Sequence, residues 1–79
     1  MKLTIEYYAV LKEQRGCSSE FLETSASTPA ELYDELKARH GLSLDRSTLK
    51  VAVNEEFAEW DQPLKDGDTA VFIPPVAGG

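Results

Sequence analysis

The stretch Thr28-Pro29-Ala30-Glu31-Leu32-Tyr33-Asp34-Glu35-Leu36-Lys37-Ala38-Arg39-His40-Gly41 decides the fold. It carries a helix start, a helical stripe and a helix stop, in that order. Thr28 can accept hydrogen bonds from the free N–H groups of a first turn. Pro29 suits that turn because its missing N–H is not needed there, and Glu31 can complete a capping box. Leu32, Tyr33 and Leu36 recur at the spacing of one helix face. Arg39 and His40 place positive charge in the last turn, where the helix dipole favours it, and Gly41 suits the left-handed stop that follows. The spacing predicts a helix over Pro29–His40, the one long helix of the chain.

The flanks read as strands. Leu3, Ile5 and Tyr7 alternate with Lys2, Thr4, Glu6 and Tyr8, so Lys2–Val10 is a strand with one buried face. Tyr8 is an aromatic on the side that Thr4 and Glu6 mark as outer. Leu11–Arg15 fits one helical turn closed by Gly16. Cys17–Glu23 fits a second strand, with either Phe21 or Leu22 facing inward. Beyond the helix, Leu42–Thr48 is a loop with Leu42 and Leu44 tucked under it. Leu49–Val53 is a strand, Asn54-Glu55-Glu56 a turn, and Phe57–Trp60 a short strand. Lys65-Asp66-Gly67-Asp68 is a turn signal, and Thr69–Ile73 is a final strand stopped by Pro74.

One helix cannot cover both faces of five strands. It must lie across one face, which gives an α+β roll with a mixed sheet. In that roll the first and last strands can lie parallel at the centre. Ala70 and Phe72 then face the core with Leu3 and Ile5. Val71 and Ile73 face out beside Tyr8, and Phe57 extends the outer patch as a candidate docking surface.

At 79 residues the chain fits one small domain. Its net charge of −6, from 14 acidic and 8 basic residues, disfavours nucleic acid and favours a basic partner or simply solubility. No apolar run approaches the ~20 residues of a membrane span. A single cysteine excludes an internal disulfide. Met1 leads directly into strand-like sequence, with no sign of a signal peptide, and a cytoplasmic location is expected.

The body offers little chemistry. Cys17 sits between Gly16 and Ser18 with no histidine near it in sequence to activate it. His40 already serves a helix end. Asp66, Asp68, Glu55 and Glu56 lack the spacing of a calcium loop, and there is no P-loop, dinucleotide fingerprint or CxxC. No metal site and no bound cofactor are expected. The ending Val71-Phe72-Ile73-Pro74-Pro75-Val76-Ala77-Gly78-Gly79 is more informative. Pro74 and Pro75 stop the strand and stiffen the exit, and Ala77, Gly78 and Gly79 are thin enough for a narrow channel. The expected division is a domain over 1–75 and a flexible tail over 76–79. The reactive group would be the Gly79 α-carboxylate. It needs conversion to an acyl-adenylate before it can react, and nothing in this chain binds ATP.

Val51-Ala52-Val53-Asn54, Asp61-Gln62-Pro63-Leu64-Lys65-Asp66-Gly67-Asp68 and Phe72-Ile73-Pro74-Pro75-Val76-Ala77-Gly78-Gly79, with Tyr7-Tyr8-Ala9 in the first strand, resemble the small subunit of molybdopterin synthase. That family comprises ubiquitin-like β-grasp sulfur carriers, and the match runs along the whole chain. The resemblance implies a non-catalytic carrier subunit acting in molybdenum cofactor biosynthesis. Gly79 would be adenylated by a partner resembling ubiquitin-activating enzymes, which uses the ATP. A persulfide donor protein would convert it to a thiocarboxylate. Val76, Ala77 and Gly78 would thread into the large subunit of the synthase, where the sulfur passes to cyclic pyranopterin monophosphate. Tyr8, Phe57, Ile73, Pro74 and Pro75 would face that large subunit in a heterotetramer. The position of Ile73 is often aromatic in the family. The alternative is a β-grasp carrier for thiamine, cysteine or tRNA thiolation, or a protein modifier.

Overall fold

A computed structural model describes residues 1–75. The elements are β1 (Lys2–Tyr7), α1 (Ala9–Arg15), β2 (Ser19–Glu23), α2 (Pro29–His40), a 3-10 turn (Arg46–Thr48), β3 (Lys50–Val53), β4 (Glu56–Ala58) and β5 (Thr69–Ile73). The five strands form one sheet in the order β2-β1-β5-β3-β4. At its centre β1 and β5 run parallel, with Thr4 opposite Thr69 and Tyr7 opposite Phe72. The remaining pairs are antiparallel. This is the mixed, single-sheet α+β roll of a ubiquitin-like β-grasp.

The core follows from the alternation. Leu3, Ile5 and Tyr7 of β1 and Ala70 and Phe72 of β5 are buried on one face, where they cluster with Leu32, Tyr33 and Leu36 of α2. Phe72 is the hub. The Tyr33 ring meets it edge-on at 5.1 Å and the Trp60 indole stacks on it at 6.1 Å, geometries that aromatic pairs favour.

The caps of α2 fall where the sequence places them. The Thr28 hydroxyl accepts from the Glu31 N–H, and Gly41 takes a left-handed φ of 67°. The Glu31 carboxylate, however, accepts from the Ser27 N–H and hydroxyl rather than reaching the Thr28 backbone. The box is closed one residue earlier than expected.

Two other expectations change, and one open choice is decided. The single turn after β1 is a seven-residue helix, α1, which starts where Ala9 takes a left-handed φ of 52° and so ends the strand at Tyr7. In β2 it is Leu22 that turns inward, while Phe21 is 89% exposed. Trp60 lies beyond β4 in a turn, where its carbonyl accepts from the Ala30 N–H of α2 and its ring reaches the core.

Asp66-Gly67-Asp68 ties the sheet together. The Lys2 N–H donates to Asp66 Oδ1, the Gly67 N–H donates to the Lys2 carbonyl, and Asn54 Nδ2 donates to Asp68 Oδ1. Gly67 has a φ of 90°, which other residues adopt only with strain.

Candidate functional site

The face of the sheet away from α2 holds the candidate site. Strand alternation sets it: with Ala70 and Phe72 fully buried inward, Val71 and Ile73 must point outward, and both are only half-buried. The β3–β5 register then places Lys50 opposite Ile73 and Ala52 opposite Val71. Asn54 and Glu55, at φ 53° and 72°, make the tight two-residue reversal into β4. That reversal sets Phe57 opposite Ala52, and Phe57 is 74% exposed.

These side chains enclose a cleft of about 330 Å³ lined by Thr48, Lys50, Phe57, Ile73, Pro74 and Pro75. Lys50 Nζ lies 5.7 Å from the centroid of the Phe57 ring, within cation–π range. Pro75 is exposed, whereas Pro74 is buried and lines the cleft from within the fold. Tyr8 is not among the lining residues. It continues β1 in extended backbone (φ −127°, ψ 153°), one residue past the Tyr7–Phe72 pair. That puts it level with Ile73 on the outer side, 54% exposed. Gly79 and its neighbours Val76, Ala77 and Gly78 lie outside the described residues. The described chain reaches Pro75, which forms part of the cleft.

Farther along the same face the character changes. Glu6, Asn54, Glu55, Thr69 and Val71 line a second, more polar hollow of about 410 Å³. The face is therefore apolar near Pro75 and acidic toward Glu6 and Glu55.

The other titratable cluster is internal bracing. Arg15 donates from Nε and Nη2 to the two Glu20 carboxylate oxygens at 2.8 Å, and the Tyr7 hydroxyl donates to Glu20 Oε2. The Arg15 guanidinium, with help from the Tyr7 hydroxyl, holds the Glu20 carboxyl below its usual range. Burial first, and then the bond to Glu20, pushes the Tyr7 hydroxyl well above its own. Cys17 is half-buried against the core, and His40 Nε2 is buried with no hydrogen-bond partner among the described residues. No group of three or more His, Cys, Asp or Glu side chains among the described residues is placed to hold a metal ion.

Lys50 and Thr48 escape a reading of the sequence. The β3–β5 register brings Lys50 opposite Ile73, the 3-10 turn before β3 sets Thr48 at the same cleft, and nothing local to either residue signals it. What the face can do is dock. Its apolar end can desolvate against another protein's side chains, and among the described residues it brings no nucleophile beside a base. No helix among the described residues is long and apolar enough to cross a membrane.

The ThiS family matches residues 5–79. The molybdopterin synthase sulfur carrier subunit of Escherichia coli is 31% identical over 80 residues, covering 98% of this chain and 99% of the relative. That of Haemophilus influenzae is 33% identical over 81 residues, with the same coverage of 98% and 99%. Among solved structures, the complex of subunits 1 and 2 of the molybdopterin-converting factor from Helicobacter pylori contains a chain 29% identical to this one, with a TM-score of 0.71 and full coverage of both. In sequence and in fold, this chain belongs to the ThiS family.

Proposed function

We propose that the chain is the sulfur-carrier subunit of a molybdopterin synthase. The observation that carries this reading is the apolar cleft of Phe57, Ile73, Pro74 and Pro75, set where the chain leaves the sheet toward Gly79. A docking surface at that point holds the last four residues against whatever protein covers the face. The relatives named as molybdopterin synthase sulfur carriers, and the two-subunit complex from Helicobacter pylori, support a large synthase subunit as that protein.

The chemistry falls on the Gly79 α-carboxylate. As an anion it resists attack, so an adenylyltransferase first joins it to AMP from ATP and releases pyrophosphate. A persulfide sulfur then displaces AMP, and a thiol reduces the resulting acyl disulfide to leave a thiocarboxylate. Docked on the large subunit, with Val76, Ala77 and Gly78 threaded into its active site, the thiocarboxylate delivers sulfur to cyclic pyranopterin monophosphate and returns as a carboxylate. This chain is co-substrate and carrier, and the acid–base residues belong to the large subunit. ATP is used by the activating partner.

The test is reconstitution. Incubated with adenylyltransferase, ATP and a persulfide donor, the chain is expected to gain the mass of one sulfur for one oxygen. With the large subunit and cyclic pyranopterin monophosphate it is then expected to revert, yielding the dithiolene pterin. An unchanged mass with Gly79 intact argues against any carrier role. A thiocarboxylate that the large subunit leaves untouched assigns the chain to another sulfur-transfer pathway.

A further inference from the structure

The sheet has two edges, and the cleft lies toward one of them, on the outer face across β5, β3 and β4. At the other, β2 is paired only with β1. The Tyr7 N–H donates to the Ser18 carbonyl and the Thr24 N–H to the Met1 carbonyl, which fixes the phase of this antiparallel ladder. Ser18, Glu20, Leu22 and Thr24 turn their backbone groups toward β1. Ser19, Phe21 and Glu23 therefore turn theirs outward. None of those three makes a backbone hydrogen bond to another element among the described residues. Phe21 stands in the middle, 89% exposed, against Lys2, Leu22 and Glu23.

Sheet edges are commonly protected by a proline, a bulge or charged side chains on the edge strand. Ser19–Glu23 has no proline and no bulge, and its two charges are already engaged, Glu20 by Arg15 and Tyr7 and Glu23 beside Lys2. Its free groups are also self-complementary. Two copies of β2 laid antiparallel about Phe21 pair Phe21 with Phe21, and Ser19 with the second copy's Glu23, at the hydrogen-bonding positions. Glu20 then faces Leu22, so no like charges stand directly opposite each other. Glu23 also keeps Lys2 beside it on β1.

The geometry points to a symmetric dimer formed by β2–β2 pairing, which joins two five-stranded sheets into one of ten strands. The second copy is favoured over an unrelated strand because the mirrored register covers the exposed Phe21 ring with its own counterpart and sets no like charges opposite each other. The shared edge is only five residues long, so the dimer is weak and depends on concentration. The β4 edges remain free at the two far ends, so both clefts stay open and the pair offers two independent docking faces.

Sedimentation over low-micromolar to millimolar chain is expected to show monomer passing to dimer. Each copy carries a charge of −6, so added salt is expected to strengthen the dimer by screening repulsion. Phe21→Lys, which sets two ammonium groups opposite each other, is expected to weaken association by about three- to tenfold with an unchanged melting temperature. Ser19→Lys, which meets the second copy's Glu23, is expected to tighten it. Phe57→Lys is expected to leave it unaltered. A monomer at every concentration overturns the proposal. So does a dimer that Phe21→Lys spares and Phe57→Lys abolishes, and so does weakening by Ser19→Lys.

Discussion

Glu20 shows how one residue can brace a fold without taking part in its chemistry. Its side chain is 17% exposed and receives two bonds from Arg15 and one from Tyr7, joining α1, β2 and β1. Bonds to a charged group are worth about 1.5–3 kcal/mol each way of counting, and an exposed pair much less. Glu20→Gln is therefore expected to cost about 1–3 kcal/mol in urea unfolding at neutral pH. The pH dependence has a definite sign. A carboxyl whose folded pKa is depressed contributes stability above its unfolded value, near about 4.3, and loses it as pH falls through the lower folded value. The gap between wild type and Glu20→Gln should close below about pH 4, and a gap constant down to pH 2 would contradict the pairing. The sequence could not reveal this cluster. Ser19–Glu23 has no clean alternation, so whether Phe21 or Leu22 faced inward stayed open, and the partners of Glu20 depend on that phase.

Elements were legible where the signal was local. Thr28, Pro29 and Gly41 bound α2 at Pro29–His40 because caps act within a few residues. Thr28→Ala is expected to lower stability by about 1 kcal/mol, read as a lower melting temperature. Local signals failed where tertiary contact decided the outcome. Trp60 looked like a strand residue, yet stacking on Phe72 draws it into a turn instead. Asp66-Gly67-Asp68 was readable as a turn, but its bonds to Lys2 and Asn54 join segments far apart in sequence. Asp68 accepts from Asn54 Nδ2 and from the Lys65 N–H. Asp68→Ala is therefore expected to destabilise by about 1–2 kcal/mol, more than an ordinary exposed substitution. A loss within 0.5 kcal/mol, the usual surface range, would show that the turn stands without it.

The whole molecule separates its core from its candidate docking surface by sheet face. One face is consumed by the core: Phe72 is fully buried among Tyr33 and Trp60, and Phe72→Ala is expected to cost about 3–5 kcal/mol and to threaten folding. The neighbouring residue on the same strand faces the other way. Ile73→Lys should leave the melting temperature nearly unchanged while weakening binding to the large subunit proposed here, because it sets an ammonium group in a patch that must desolvate. If Ile73→Lys unfolds the domain instead, the two faces have been assigned in reverse. The same logic extends to the chain's end. Among the described residues the core cluster runs from Leu3 to Phe72, and that cluster is expected to survive removal of Gly79. Its deletion is expected to leave circular dichroism and the melting temperature as in the full chain, and to leave affinity for the large subunit largely intact, since the cleft is formed by residues 48–75. Thiocarboxylate formation should nevertheless be abolished, because the new terminal residue presents its carboxyl one position short of the activating site. A truncated chain that still accepts sulfur would place the reactive carbon elsewhere and would defeat the carrier assignment even with the docking face unchanged.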